Sequence, residues 1–150
     1  MIFLKEINES NWIQVAGLSP TEVQKNYVAS AIGILARAYV YRDCRAVAYA
    51  IYNDEIIVGI AMIRDMNEEP KCYELQQFFI DKEHQGKGFG TEALREIIEL
   101  LKSERKYSSI EVCVKMEDLT AIHLYEKLGF VDTGYIDADV PDSCNLVYRF

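Results

Sequence analysis

Histidine is scarce in this 150-residue chain: His84 and His123 are the only two, and neither has a neighbour at metal-ligand spacing. The four cysteines (Cys44, Cys72, Cys113, Cys144) are far apart and form no Cys-x-x-Cys pair. A zinc module and a disulfide scaffold are therefore not expected, and the cysteines read as small hydrophobes in a reducing compartment. No apolar run approaches the ~20 residues that span a bilayer. The opening Met1-Ile2-Phe3-Leu4-Lys5-Glu6 lacks a signal-peptide layout, so the cytoplasm is the expected location. Positive charge is also short: 16 Lys and Arg stand against 24 Asp and Glu, for a net charge of −8. A surface of that sign disfavours nucleic acid and anionic membrane and mildly favours a cationic ligand.

No repeat, low-complexity tract or Pro/Gly/Ser-rich linker divides the chain, so residues 1–150 read as a single domain. Ile2 to Ile7 reads as a first strand. Ser19-Pro20-Thr21-Glu22 has the form of a capping box with proline at the first helical position, and predicts a helix start. A second helical stretch covers Ala29 to Ala38. Arg45 to Tyr52 and Glu55 to Arg64 are rich in Val, Ile and Tyr, with Asn53-Asp54 suited to a tight turn between them. Asp65 to Lys71 reads as a loop, and Tyr73 to Asp81 as the next strand.

The period then changes. Ala93, Leu94, Ile97, Ile98 and Leu101 recur at helical spacing, with charged residues on the opposite face. Ser109 to Val114 predicts a strand. Ala121, Leu124, Tyr125 and Leu128 form a second helical stripe, with Asp118 placed to cap it and Gly129 to end it. Phe130 to Ile136 and Asn145 to Phe150 read as closing strands. This order implies a mixed sheet with helices packed on it.

Two segments carry chemistry. In the first, the strand Phe78-Phe79-Ile80-Asp81 runs through Lys82-Glu83-His84-Gln85-Gly86-Lys87-Gly88-Phe89-Gly90-Thr91 into the amphipathic helix. Glycines let a ligand approach the backbone closely, and free amides at a helix start bind negative charge. The loop lacks the Gly-Lys-Ser/Thr of a Walker A site, and its Gly-x-Gly-x-Gly spacing is not the dinucleotide fingerprint. It reads as a phosphate cradle or as an ordinary flexible strand-to-helix turn.

The loop resembles the pyrophosphate-binding motif of the GNAT acetyltransferases, Gln/Arg-x-x-Gly-x-Gly/Ala, with Gln85, Gly88 and Gly90 at its defined positions. The second segment, Val114 to Phe130, is similar to the same family's Asn-x-x-Ala-x-x-Leu-Tyr-x-x-x-Gly-Phe signature. Ala121, Leu124, Tyr125, Gly129 and Phe130 match, and Asp118 stands where asparagine is usual. By itself that segment also reads as a core helix with a tyrosine on its apolar stripe. Asn11-Trp12, Gln24 and Tyr27 to Tyr39 look like small bacterial members related to diamine acetyltransferases.

The resemblance implies a mixed, mostly antiparallel sheet of six to seven strands flanked by about four helices and splayed between the fourth and fifth strands. It implies an N-acetyltransferase that binds acetyl-CoA, needs no metal, and acts on a small amine by direct attack in a ternary complex. The coenzyme would lie along Phe78, Phe79 and Ile80, over the amides of Gln85 to Thr91 with Lys87 adding charge, and near Asp118. Tyr125 carries over as the acid that protonates the departing thiolate. Polyamine acetyltransferases place an acidic residue two positions before the Phe-Phe pair, where this chain has Gln76. Strand alternation offers Glu74 as a substitute base. Spermidine and spermine are the acceptors implied; a peptide amine, or a regulatory domain without turnover, are the alternatives. Dimers are common in the family, so a homodimer is the expected assembly.

Overall fold

The computed structural model describes residues 1–150. Seven strands make one sheet: β1 (Ile2–Glu6), β2 (Val47–Asn53), β3 (Ile56–Met66), β4 (Cys72–Ile80), β5 (Ser109–Lys115), β6 (Val131–Asp132) and β7 (Ser143–Arg149). Their order is β1-β2-β3-β4-β5-β7-β6, and every neighbouring pair is antiparallel except β4 and β5. Four α-helices accompany them: α1 (Trp12–Ala16), α2 (Ala31–Val40), α3 (Phe89–Glu104) and α4 (Leu119–Lys127). No helix is long and apolar enough to cross a membrane.

The β2–β3 hairpin closes because Asp54 adopts a left-handed φ of 54°, a conformation its short polar side chain tolerates. The turn falls on Asp54-Glu55, one residue later than predicted. β3 is the spine of the sheet. Its residues Ile57 to Ile63 are buried on both faces, which its nearly unbroken apolar run requires. One face joins Val58, Ala61 and Ile63 to Leu75, the apolar stripe of α3, Tyr125 and Phe130. The opposite face joins Ile57, Ile60, Met62 and Phe79 to Val15 of α1 and to Ala31 and Ile34 of α2.

Three expectations need correction, and one helix was not foreseen. No α-helix starts at Ser19. Its amide donates to Asp81 Oδ1 at 2.8 Å, and its carbonyl accepts from the Lys82 amide at 2.8 Å. The capping box forms further on, where Thr21 and Gln24 exchange side-chain to backbone hydrogen bonds of 3.1 and 3.3 Å, and it opens only the 3-10 turn Gln24–Asn26. The predicted strand Phe130 to Ile136 shrinks to Val131–Asp132, because β6 finds only two partners on β7. Asp65 lies inside β3 rather than in the following loop. Finally, α1 had no signal of its own in the periodicity, being a single short turn.

Asp65 is the polar anchor at the C-terminal end of β3 and is only 6% exposed. Its carboxylate accepts from Arg45 Nε at 2.9 Å, Lys106 Nζ at 2.8 Å and the Tyr107 hydroxyl at 3.1 Å. Arg45 also pairs with Glu104 at the end of α3. Burial alone raises the Asp65 pKa, and the hydrogen bonds from Arg45, Lys106 and Tyr107 outweigh it, holding the carboxyl below its ordinary range. A depressed carboxylate stabilises the fold above its unfolded pKa, and this is lost as pH falls through the folded value. Asp65→Asn should therefore lower stability by about 2–4 kcal/mol at neutral pH, read by urea melts. The difference from wild type should begin to narrow as pH falls below about 4, the ordinary carboxylate value, and should close only once pH has passed below the lowered folded value.

Candidate active site

Strands β4 and β5 touch over two residue pairs only, Tyr73 with Ile110 and Glu74 with Glu111. Beyond these the strands part, and the gap between Leu75–Ile80 and Val112–Lys115 opens into a cleft of about 230 Å³ that reaches solvent. A parted strand presents backbone donors and acceptors with no neighbour to pair them, which is a template for an extended ligand.

The wide end of the cleft is the glycine loop. Gly86 and Gly88 have φ values of 77° and 83°, the left-handed region that glycine occupies without strain. A Cβ at either would meet no protein atom within 4 Å, so the requirement there is conformational. Gln85 braces the loop from beneath: its Nε2 donates to Ile80 O and to Gln24 Oε1, both at 2.8 Å. Gly88 then sits at the N-cap of the 16-residue α3 with no side chain capping it. The first amides of the helix, from Phe89 to Thr91, are left unfilled by capping and carry the positive end of the helix dipole. The site thus offers fixed backbone donors for a phosphate without using a lysine.

The opposite wall is α4. Asp118 caps it, accepting from the Ala121 amide at 3.2 Å, as its spacing predicted. Tyr125 is 5% exposed and its ring meets Phe130 edge-on at 5.3 Å, yet the side chain also lines the cleft. Its hydroxyl bonds to no protein group. Burial, with the Asp118 charge adding to it, pushes the phenol pKa far above its ordinary value, so Tyr125 stays a proton-bearing donor at neutral pH.

Of the residues singled out from the sequence, Phe78, Phe79, Ile80, Gln85, Gly86, Gly88, Phe89, Gly90, Asp118 and Tyr125 converge on this cleft. Lys87, Thr91 and Glu74 are not among the side chains that line it. Glu74 instead pairs with Arg64 at 3.2 Å, and the Arg64 guanidinium stacks over Tyr41. Burial raises the Glu74 pKa, opposed by Arg64 and reinforced by the Glu111 and Glu68 charges. Counting by twos from Gln76 to Glu74 fails because β4 carries a bulge: Gln77 pairs with Met62 and Leu75 with Ile63, which leaves Gln76 as the extra residue.

Sequence reasoning missed Gln77, Cys113 and the second role of Gln24. Gln77 Oε1 accepts from the Ala29 amide at 2.9 Å and ties the entry of α2 to the cleft wall. Cys113 faces the cleft from β5; a polar run such as Gln76-Gln77 in an otherwise apolar strand was the available signal. Partial burial raises the Cys113 thiol pKa, a Ser143 contact lowers it, and the Glu74 and Asp137 charges raise it further. It is therefore held as a thiol.

The fold and this cleft have known counterparts. Spermidine N-acetyltransferase from Vibrio cholerae, solved with CoA and spermine, matches with a TM-score of 0.77 at 19% identity, covering 99% of this chain and 95% of that one. An aminoglycoside acetyltransferase, AAC(6')-Ib, solved with coenzyme A, matches with a TM-score of 0.79 at 17% identity, over 99% and 95% of the two chains. By sequence, the spermine/spermidine N(1)-acetyltransferase of Bacillus subtilis (strain 168) is 28% identical over 142 residues, 91% of each chain. The model of the acetyltransferase (GNAT) family matches residues 6–130, so that the chain with this forked sheet, glycine loop and tyrosine-bearing α4 belongs to the GNAT family of acetyltransferases.

Proposed function

We propose that the cleft binds acetyl-CoA along the open edge of β4 and that the protein transfers the acetyl group to a primary amine, with polyamines such as spermidine and spermine as the acceptor class. The observation that carries this reading is the fork itself, a parted strand that leads onto the uncapped start of α3. The net charge of −8 and the polyamine acetyltransferase relatives support a cationic acceptor. A cytoplasmic homodimer belongs to the same reading, on the strength of the family resemblance.

Bound acetyl-CoA supplies an activated thioester, and the chain's own residues do the rest. The amides of Gly88 to Thr91 hold the pyrophosphate by hydrogen bonding and dipole. The Tyr125 hydroxyl donates to negative charge appearing on sulfur. A phenol raised above its ordinary pKa of about 10 stabilises that charge chiefly as a hydrogen-bond donor, with little proton release before the bond breaks. Cys113, kept as a thiol, is a poor nucleophile at neutral pH, which favours direct attack by the amine over an acyl-cysteine relay. Glu74 stays with Arg64, and the ammonium proton leaves to solvent.

Release of CoA thiol over a panel of spermidine, spermine, an aminoglycoside and peptide amines tests the acceptor class. Turnover confined to polyamines is expected, and turnover of peptides alone sinks it. Acetyl-CoA at 100 times its Kd should stabilise the protein by about 2.7 kcal/mol, seen as a raised Tm. Gly88→Glu should abolish that shift, since a side chain there is strained and sets a carboxylate against the α3 amides. Tyr125→Phe keeps the ring packing, so Tm should barely move and acetyl-CoA affinity should stay within about threefold. Its kcat should fall by at least roughly tenfold, because the lost interaction is made mainly in the transition state. Glu74→Gln should lower Tm by unbalancing Arg64 while leaving the pH profile of kcat/KM in place; loss of its acid limb would return Glu74 to the mechanism.

A further inference from the structure

Two buried side-chain atoms in the protein have no hydrogen-bond partner, Arg64 Nε and Gln76 Oε1. Only Gln76 belongs to the cleft wall. It is the bulge residue of β4, without a partner on β3, and it lies past the last pairing of β4 with β5. Neither neighbouring strand claims it. Its chain neighbour makes the contrast: the Gln77 oxygen is filled by the Ala29 amide. A buried carbonyl oxygen seldom goes unfilled unless another state of the molecule fills it.

The partner must be an N–H or O–H donor, and position narrows which. The phosphate cradle lies beyond Ile80, about 13 Å along the strand from Gln76 at the usual rise per residue. Continuing the register of Glu74 with Glu111 sets Gln76 across from Cys113, at the closed end of the fork. The donor that reaches this end is the one arriving opposite the coenzyme. We propose that Gln76 binds the acceptor amine, its Oε1 accepting one amine N–H and so aiming the nitrogen lone pair at the thioester carbonyl. This rests on the acetyl-transfer reading above. In the reaction the nitrogen–carbon bond forms, the carbon–sulfur bond breaks with its electron pair leaving on sulfur, and one amine proton ends on the thiol. An amide takes up no proton near neutrality, so Gln76 orients the amine without deprotonating it.

Gln76→Leu in the full-length protein should raise the KM for spermidine by at least roughly tenfold, the loss expected for one buried hydrogen bond to a charged or polar donor. The KM for acetyl-CoA should change less than twofold, and Tm should hold or rise because the unfilled oxygen is gone. Calorimetric titration of spermidine into CoA-loaded protein should weaken by the same factor as KM. Gln76→Glu restores an acceptor oxygen and adds a base, so spermidine KM should recover and kcat/KM should level off at lower pH than in wild type. Unchanged spermidine KM and affinity in Gln76→Leu would overturn the proposal and leave Oε1 to a bound water. A change in acetyl-CoA KM instead would overturn it in favour of the coenzyme, and a wild type that binds no spermidine overturns it as well. Failure of acetyl transfer itself reads differently: no thiol release with any amine, while calorimetry still reports the Gln76 contact.

Discussion

The contact between β4 and β5 is held to two residue pairs, and the site exists because it stops there. Each strand is otherwise firmly held, β4 by eight pairs with β3 and β5 by seven with β7. The gap between them is therefore a rigid fork rather than a frayed edge. What closes it at one end is Tyr73, buried in the core, whose hydroxyl accepts from the Lys106 and Tyr107 amides at 3.1 and 3.3 Å. The Tyr73 and Tyr107 rings meet edge-on at 4.9 Å. This clamp brings the start of β5 against the start of β4, and Asp65 reinforces it through the same two residues. A parallel pair so short is weak by itself, so the clamp is what fixes its register.

The chemistry of the cleft follows from that geometry. A protein of net charge −8 that binds a polyanion works against its own field, and the glycine loop resolves the conflict locally. Backbone amides carry no net charge and need no counter-ion, yet they are aimed by the fold and backed by the helix dipole. Lysine is accordingly absent from the cradle lining. Tyr125 completes the division. Its burial, which looks like a core role, is also what keeps the phenol protonated at the cleft wall.

Much of this was legible in the sequence where local pattern and tertiary structure agree. The helical stripe from Ala93 to Leu101 is the buried face of α3, and Asp118 and Gly129 bound α4 as their residue types require. The glycines of the loop matched their backbone conformation, since the positive φ of Gly86 and Gly88 is a local demand. The capping box at Ser19 misled because Asp81, 62 residues away, competes for its amide, and sequence carries no sign of that partner. The last strands misled for a similar reason: Val131 onwards has strand propensity, but only two residues find a paired edge.

The β4 bulge shows how one residue divides labour between neighbours. Period-two counting would give Glu74 and Gln76 the same job, since alternation repeats every second residue. The inserted residue ends that equivalence. Glu74, before the bulge, lies beside Arg64 on β3, where an ion pair offsets its burial. Gln76, within it, has no β3 partner to satisfy it. A carboxylate in that position would stay ionised only with a cation beside it, whereas an amide keeps its acceptor at any pH with or without one. The same bulge that takes the acid out of the cleft thus leaves behind a neutral acceptor, and it does so without moving the strand from its place against β3.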